Sequence, residues 1–466
     1  MEHQHAIETY FAQREEQLVE AVSRLVRIDS TLGPAQPGQP FGPGPAAALE
    51  ELLCLAREWG LAGENLSGYI GAVDLNGQET ALHILGHLDI VDPGEGWTVT
   101  QPFQPVVKDG LLYGRGSSDD KGPLVAALLA MKAVKDLGLP LRKNVRLLAG
   151  TDEETGFRDV KWYYANHPYA PHTLSPDADF PIINLEKGHY QPLFQADWQP
   201  ETALPRVTAF SGGTRVNMVP SKAEATLLGI APQQVEAAFQ ALDLGGAACT
   251  CQLEGPNLRV LCTGQNAHGS TPQEGVNAQT ALLALLSALP LTDCPSTRAV
   301  RALHALFPHG DHGGQALGIA QADELSGPLT LAFTMLSLSG EGCTGRFDVR
   351  SPLSATEATV KAVADAALEQ AGFTVQGEMD PPHYVPESDP FLRTLAQCYE
   401  AYTGQPGTCL AIGGGTYVHD IPGGVAFGPN MPGFVSNLHG PDERIRVADL
   451  LTTGKIYAQV ILALCL

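Results

Sequence analysis

The stretch LHILGHLDIVDPGEGW, from Leu82 to Trp97, places a histidine two residues from an aspartate at the end of an apolar run. Read as a strand, the run points His87 and Asp89 to one side, just where it gives way to a Pro/Gly loop. An imidazole and a carboxylate so placed can hold a metal or move a proton. Further acidic groups recur at other element ends: Asp119 with Asp120 in GRGSSDDKG, Glu153 with Glu154 in GTDEETG, and Asp177 in SPDADFP. His439, in SNLHGPDERI, lies far downstream. Singly, each has an ordinary reading: an Asp-Asp pair caps a helix, a Glu-Glu pair is exposed charge, and a histidine before Gly-Pro is loop. Together they converge on one rim and suit a dinuclear centre, in which a carboxylate bridges two metals roughly 3.5–4 Å apart. Histidine and carboxylate without thiolate favour zinc, manganese or cobalt in a catalytic site. One member of an adjacent acidic pair can ligate while the other serves as a base.

The elements that must carry these groups are legible from periodicity and punctuation. Residues 7–28 and 46–60 have helical spacing, whereas YIGAVDL and ALHILGHLDIV read as strands. PLVAALLAMKAVKDLG is a helix punctuated by Pro123 near its start and Gly138 at its end. NVRLLAGTDEETG and FPIINLEKG are further strands, so strands and helices alternate as in an α/β layer with a largely parallel sheet. In such sheets ligands sit beyond the carboxyl ends of the strands. From about Tyr190 the pattern changes to two successive rounds of β segments and helices, which predict two similar α+β lobes. Pro381, Pro382 and Pro386 then mark a linker back to α/β sequence. The expected organisation is one α/β domain, residues 1–189 plus 383–466, interrupted by an insert over 190–382.

Composition excludes some functions. Asp and Glu outnumber Lys and Arg by 51 to 28, a formal net charge of -23. Such a chain lacks the phosphate-neutralising surface that nucleic acids require, and anionic membranes repel it. The start is acidic and amphipathic rather than signal-like. The apolar end, YAQVILALCL, is too short to span a bilayer and reads as a last buried helix, so a cytoplasmic protein is expected. Nine cysteines with no CxxC pair predict small buried hydrophobes and a few surface thiols rather than a disulfide framework.

The segments GHLDIV, YGRGSSDDKGP, GTDEETG, SPDADFP, GGTRVNMVP, GQNAHGSTP and IGGGTYV together resemble the M20 family of metallopeptidases, and most closely its PepV-like bacterial dipeptidase branch. The resemblance spans nearly the whole chain. It implies a phosphorylase/hydrolase-like catalytic domain with a mixed, mainly parallel sheet, interrupted by a two-lobed α+β, ferredoxin-like lid. It implies two divalent metals, zinc first with manganese or cobalt as alternatives: His87 and Asp177 on one, Glu154 and His439 on the other, Asp119 between them. Asp89 would orient His87. Glu153 would be the general base toward a metal-bridging hydroxide, and the Asp119–Asp120 peptide would be cis.

In the insert, His268 matches the family's oxyanion-stabilising histidine. Asn217 and Arg350 match positions that hold the substrate's terminal carboxylate, although Asn217 also fits a turn and Arg350 an ion pair. Gly414, Gly415 and Thr416 could offer backbone N–H groups to that carboxylate, or form a plain tight turn. Two lobes in the insert imply a monomer, the second replacing a partner subunit. Departures fall at Val418 and His419, where the branch has Ala-Arg, and at HGPDE, which keeps Glu443. His309, Asp311 and His312 in FPHGDHGG imitate a metal site outside this set. The reading is a dinuclear metal-dependent dipeptidase acting on short peptides with a free amino terminus. The alternatives are an M20 deacylase of N-acyl amino acids and a silent peptide-binding homologue, the latter disfavoured because every ligand and Glu153 are present.

Overall fold

Thr80–His87 is a central strand of a mixed sheet in the computed structural model, which describes residues 2–466. The chain divides into two units: Met1–Leu185 with Tyr384–Leu410 and Gly415–Leu466, and Glu186–His383 with Ala411–Gly414.

In the first unit the sheet runs in the order Ala62–Leu66, Ile70–Asp74, Asn144–Gly150, Thr80–His87, His172–Ser175, Val425–Ala426, Ile182–Glu186. Its centre is parallel, with Thr80–His87 pairing Asn144–Gly150 on one side and His172–Ser175 on the other. Its flanks are antiparallel. Seven successive residues of Thr80–His87 are buried, as expected of a strand covered on both faces. One covering helix, Lys121–Asp136, is buried continuously from Lys121 to Met131, which explains why its sequence is apolar all round. It packs against Glu15–Val26 and against the final helix, Val447–Cys465. That final helix has the length and apolarity of a membrane span, yet Ile456, Tyr457, Ala458, Val460, Ile461 and Leu462 are buried in the core. Each such aliphatic side chain contributes about 1.5–3 kcal/mol through its burial. The single helical stretch expected over 7–28 is two helices, Gln4–Phe11 and Glu15–Val26. Tight turns from Gln13 N to Tyr10 O and from Arg14 N to Phe11 O break it.

The second unit is built on one antiparallel sheet whose outer order is Ala248–Glu254, Asn257–Thr263, Lys222–Leu228, Arg206–Gly212, Thr330–Leu338, Gly342–Ser351. Arg206–Gly212 pairs with Thr330–Leu338 through Phe210 and Leu338, so the two rounds of sequence share a sheet and a core. Helix Ala278–Ala288 is started by Asn277, whose side chain accepts from the N–H groups of Gln279 and Thr280.

One cysteine expectation is corrected here. Cys249 and Cys262 form a disulfide, and the other seven cysteines are free. The pair sits directly opposite on a hairpin, so a pairing register rather than a sequence motif brings the two together.

Candidate metal centre

Three adjacent parallel strands end at the same rim. His87 closes Thr80–His87, Glu153 and Glu154 follow Asn144–Gly150, and Asp177 follows His172–Ser175. Asp119 lies in the loop between strand Leu111–Tyr113 and helix Lys121–Asp136, and the Asp119–Asp120 peptide is cis. His439, distant in sequence, arrives because Arg444–Arg446 pairs antiparallel with Leu111–Tyr113. The backbone around it is left-handed at Asn437, His439 and Asp442, a conformation that costs energy for residues with a side chain.

These loops form two groups of potential ligands that share Asp119: His87, Asp119 and Asp177, and Asp119, Glu154 and His439. Asp119 Oδ1 lies 2.8 Å from His87 Nε2, and its Oδ2 lies 2.9 Å from His439 Nε2. His87 Nε2 is 3.6 Å from Asp177 Oδ2, and His439 Nε2 is 3.4 Å from Glu154 Oε1. His87 Nδ1 lies 3.1 Å from the carbonyl oxygen of Asp89. A carbonyl can only accept, so Nδ1 carries a proton and Nε2 is the nitrogen left to bind a cation. Buried, that Nε2 has no hydrogen-bond partner among the described residues. An imidazole nitrogen facing several carboxylates is the kind of donor set a divalent cation needs.

Asp89 does more than the sequence expectation assigned it. Its carboxylate lies 3.5 Å from His87 Nδ1, while its two oxygens accept the backbone N–H groups of Glu153 at 3.1 Å and Glu154 at 3.0 Å. Sequence reasoning noticed Glu443 only as a residue retained in a motif, yet it holds the Asp119 loop. It is fully buried and accepts from Arg115 Nη1 at 2.7 Å, Gly116 N at 3.0 Å, Ser118 N at 2.8 Å and Asp119 N at 3.2 Å.

Electrostatics follow from this crowding. Burial raises the Glu153 carboxyl well above the carboxylate range, and Asp177, Glu154 and Asp119 add to the effect against the pull of His87. Burial and Asp119 likewise push Asp177 up to about 7. Burial opposes charge on His439, but Asp119 and Glu154 outweigh it and hold the imidazole at about 11. Burial also opposes charge on His87, and Asp177, Asp119 and Asp89 overcome it. The shifts combine burial with a crowd of carboxylates, whose negative charge a cation at the rim would offset.

The second unit gathers most of the remaining predicted residues. Ala267–His268 pairs with Met218–Val219, and Gly269 N donates to Asn217 O at 2.7 Å, so His268 and Asn217 are neighbours. Ser270 N donates to His268 Nδ1 at 3.2 Å, which places the neutral imidazole's proton on Nε2. Arg350 is buried and forked onto Asp348, with Nε and Nη2 at 2.9 and 3.0 Å from its two oxygens. Its Nη1 reaches Gly413 O at 2.6 Å, one residue before Gly414. In the first unit, beyond Gly415, the Thr416 hydroxyl accepts from Val418 N at 3.3 Å and Val418 is buried. The imitation site is structural: His309 is held between Thr280 Oγ1 and Leu244 O, each at 2.9 Å, while Asp311 accepts from the N–H groups of Gly313, Gln315 and Ala316.

The site and the fold define a metallopeptidase. The description Peptidase family M20/M25/M40 matches residues 83–463, and the chain belongs to that family. It is therefore a hydrolase acting on peptide bonds. It is 36% identical to YtjP of Bacillus subtilis (strain 168) over 96% of this chain and 97% of that one. To the Beta-Ala-Xaa dipeptidase of Lactobacillus delbrueckii subsp. lactis it is 32% identical over 96% of each. Human carnosine dipeptidase 1 shares the fold, with a TM-score of 0.64 at 14% identity over 100% of this chain and 99% of that structure.

Proposed function

We propose that the protein is a dinuclear dipeptidase that cleaves short peptides, Xaa-Xaa dipeptides above all, at a free amino terminus. The observation that carries the reading is Asp119, which turns one oxygen to each of the two ligand groups. His87 and Asp177 hold one divalent cation and Glu154 and His439 the other, with zinc as the first choice and manganese or cobalt as alternatives. The chemistry that cations held there would supply is polarisation of the scissile carbonyl and a lowered pKa for the attacking water. Glu153, whose raised affinity for a proton suits it to both directions of transfer, takes the water's proton and returns it to the leaving amine.

The insert over 190–382 serves as a lid. His268 presents its Nε2–H to the developing oxyanion, a contribution of about 3–4 kcal/mol in comparable sites. Arg350, Asn217 and the Gly414–Gly415–Thr416 loop receive the terminal carboxylate. The similarity to a Beta-Ala-Xaa dipeptidase adds β-alanyl dipeptides to the substrates worth testing. The protein works as a monomer in the cytoplasm, with peptides as its partners and neither nucleic acid nor membrane among them.

The test is hydrolysis of several dipeptides, a tripeptide and an N-acetyl amino acid by zinc-loaded protein, beside Glu153→Gln. Cleavage of dipeptides alone, abolished in the variant, is expected. Turnover of only the N-acetyl substrate would establish the deacylase instead, and no turnover with two metals bound would leave a binding protein.

A further inference from the structure

Four consecutive backbone N–H groups lead into the acidic pair, and all four end on two buried carboxylates. Asp89 accepts those of Glu153 and Glu154. Asp159 Oδ2 accepts those of Thr151 at 2.6 Å and Asp152 at 2.9 Å. Asp159 belongs to neither ligand group, is completely buried, and receives a further hydrogen bond from the hydroxyl of Tyr417. Its other oxygen accepts Val160 N at 2.6 Å. Tyr417 is 1% exposed, and its ring stands edge-on to the imidazole of His87, 6.3 Å between centroids, and 5.2 Å from the ring of Phe157. Gly150, the last residue of the strand before this turn, leaves the space they use: a Cβ there would overlap the Tyr417 hydroxyl and Asp159 Oδ2.

We propose that Asp159 and Tyr417 are positioning residues for Glu153, a paired clamp that fixes the 151–154 turn at the end not held by Asp89. The proposal rests on the reading of Glu153 as the base. A carboxylate that gathers two successive amides fixes the direction of the chain between them. The Tyr417 hydroxyl satisfies that carboxylate and keeps it from turning away. Asp89 holds the amides of Glu153 and Glu154 themselves, so loosening the Asp159 end frees Thr151 and Asp152 and shifts the approach of the chain to Glu153 without releasing Glu154 from Asp89.

Tyr417→Phe, Asp159→Asn and the double variant, each loaded with zinc, decide the matter, with Glu153→Gln alongside. Tyr417→Phe is expected to lower kcat about tenfold at unchanged KM and zinc stoichiometry, within the usual range for residues that act through a catalytic group. The double variant loses no more kcat than Asp159→Asn, since the two act as one unit. A Tyr417→Phe protein with the parent's kcat, or with only a lower Tm, overturns the proposal, and this variant decides alone if Asp159→Asn does not fold. Activity surviving in Glu153→Gln would instead overturn the assignment of the base.

Discussion

Replacing Glu443 by glutamine tests how the Asp119 loop is held. The carboxylate serves four donors, Oε2 taking Arg115 Nη1 and Gly116 N, and Oε1 taking Ser118 N and Asp119 N. A glutamine of the same shape keeps one accepting oxygen and turns an N–H₂ toward two of those donors. Two buried donors left unpaired cost about 1–3 kcal/mol each. Arg115, 1% exposed, also loses its charge partner, and breaking a buried pair costs about 3–5 kcal/mol. The two descriptions overlap, so the expected loss is about 3–5 kcal/mol, against a total stability of about 5–15 kcal/mol for a typical domain. The variant therefore folds but is weakened, and its Asp119 is freed at the backbone. Metal affinity, measured by competition with a chromogenic chelator, should fall by about 10–100-fold, while urea unfolding reports the stability loss. A variant that unfolds at the parent's urea midpoint and binds zinc as tightly would refute the idea that Glu443 sets the position of Asp119.

Two other perturbations probe separate parts of the structure. His83 is buried, with Nδ1 3.0 Å from the Tyr164 hydroxyl, and burial together with Arg146 pushes it down to about 4 from 6.5. The unfolded chain then takes up a proton below pH 6.5 that the folded chain refuses until about 4, so stability is lost as pH falls through that window, by about 3 kcal/mol. His83→Asn, which cannot titrate, should flatten the difference between urea midpoints at pH 7 and pH 4.5; equal differences in parent and variant would show that His83 contributes none of it. Stripping metal with a chelator should lower Tm, and zinc at a hundredfold excess over its Kd should restore about 2.7 kcal/mol. A Tm indifferent to zinc would count against the rim as a cation site.

The candidate ligands were legible in the sequence because chemistry restricts their types and the strand-end rule restricts their places. His87, Glu154 and Asp177 each follow one of three neighbouring parallel strands, so the alternation of elements alone put them on one rim. His439 was legible only through the resemblance, since what brings it there is the pairing of Arg444–Arg446 with Leu111–Tyr113. The residues that hold the ligands were harder to see for a physical reason. Asp159 and Glu443 act by accepting backbone N–H groups, and an amide has no residue type, so no spacing in the sequence marks the partner. Asp89 shows the same limit from the other side: its position beside His87 suggested a role toward the imidazole, where its carboxylate lies 3.5 Å from Nδ1, but nothing in the sequence marked its oxygens as acceptors for the amides of Glu153 and Glu154 as well. A metal centre of this kind is thus written twice, once in side chains that can be read and once in carboxylates whose meaning depends on which loop folds against them. That second set bears on the chemistry directly, because a cluster of mutually repelling acids keeps its shape only if its backbone is tied down independently of the charge it awaits.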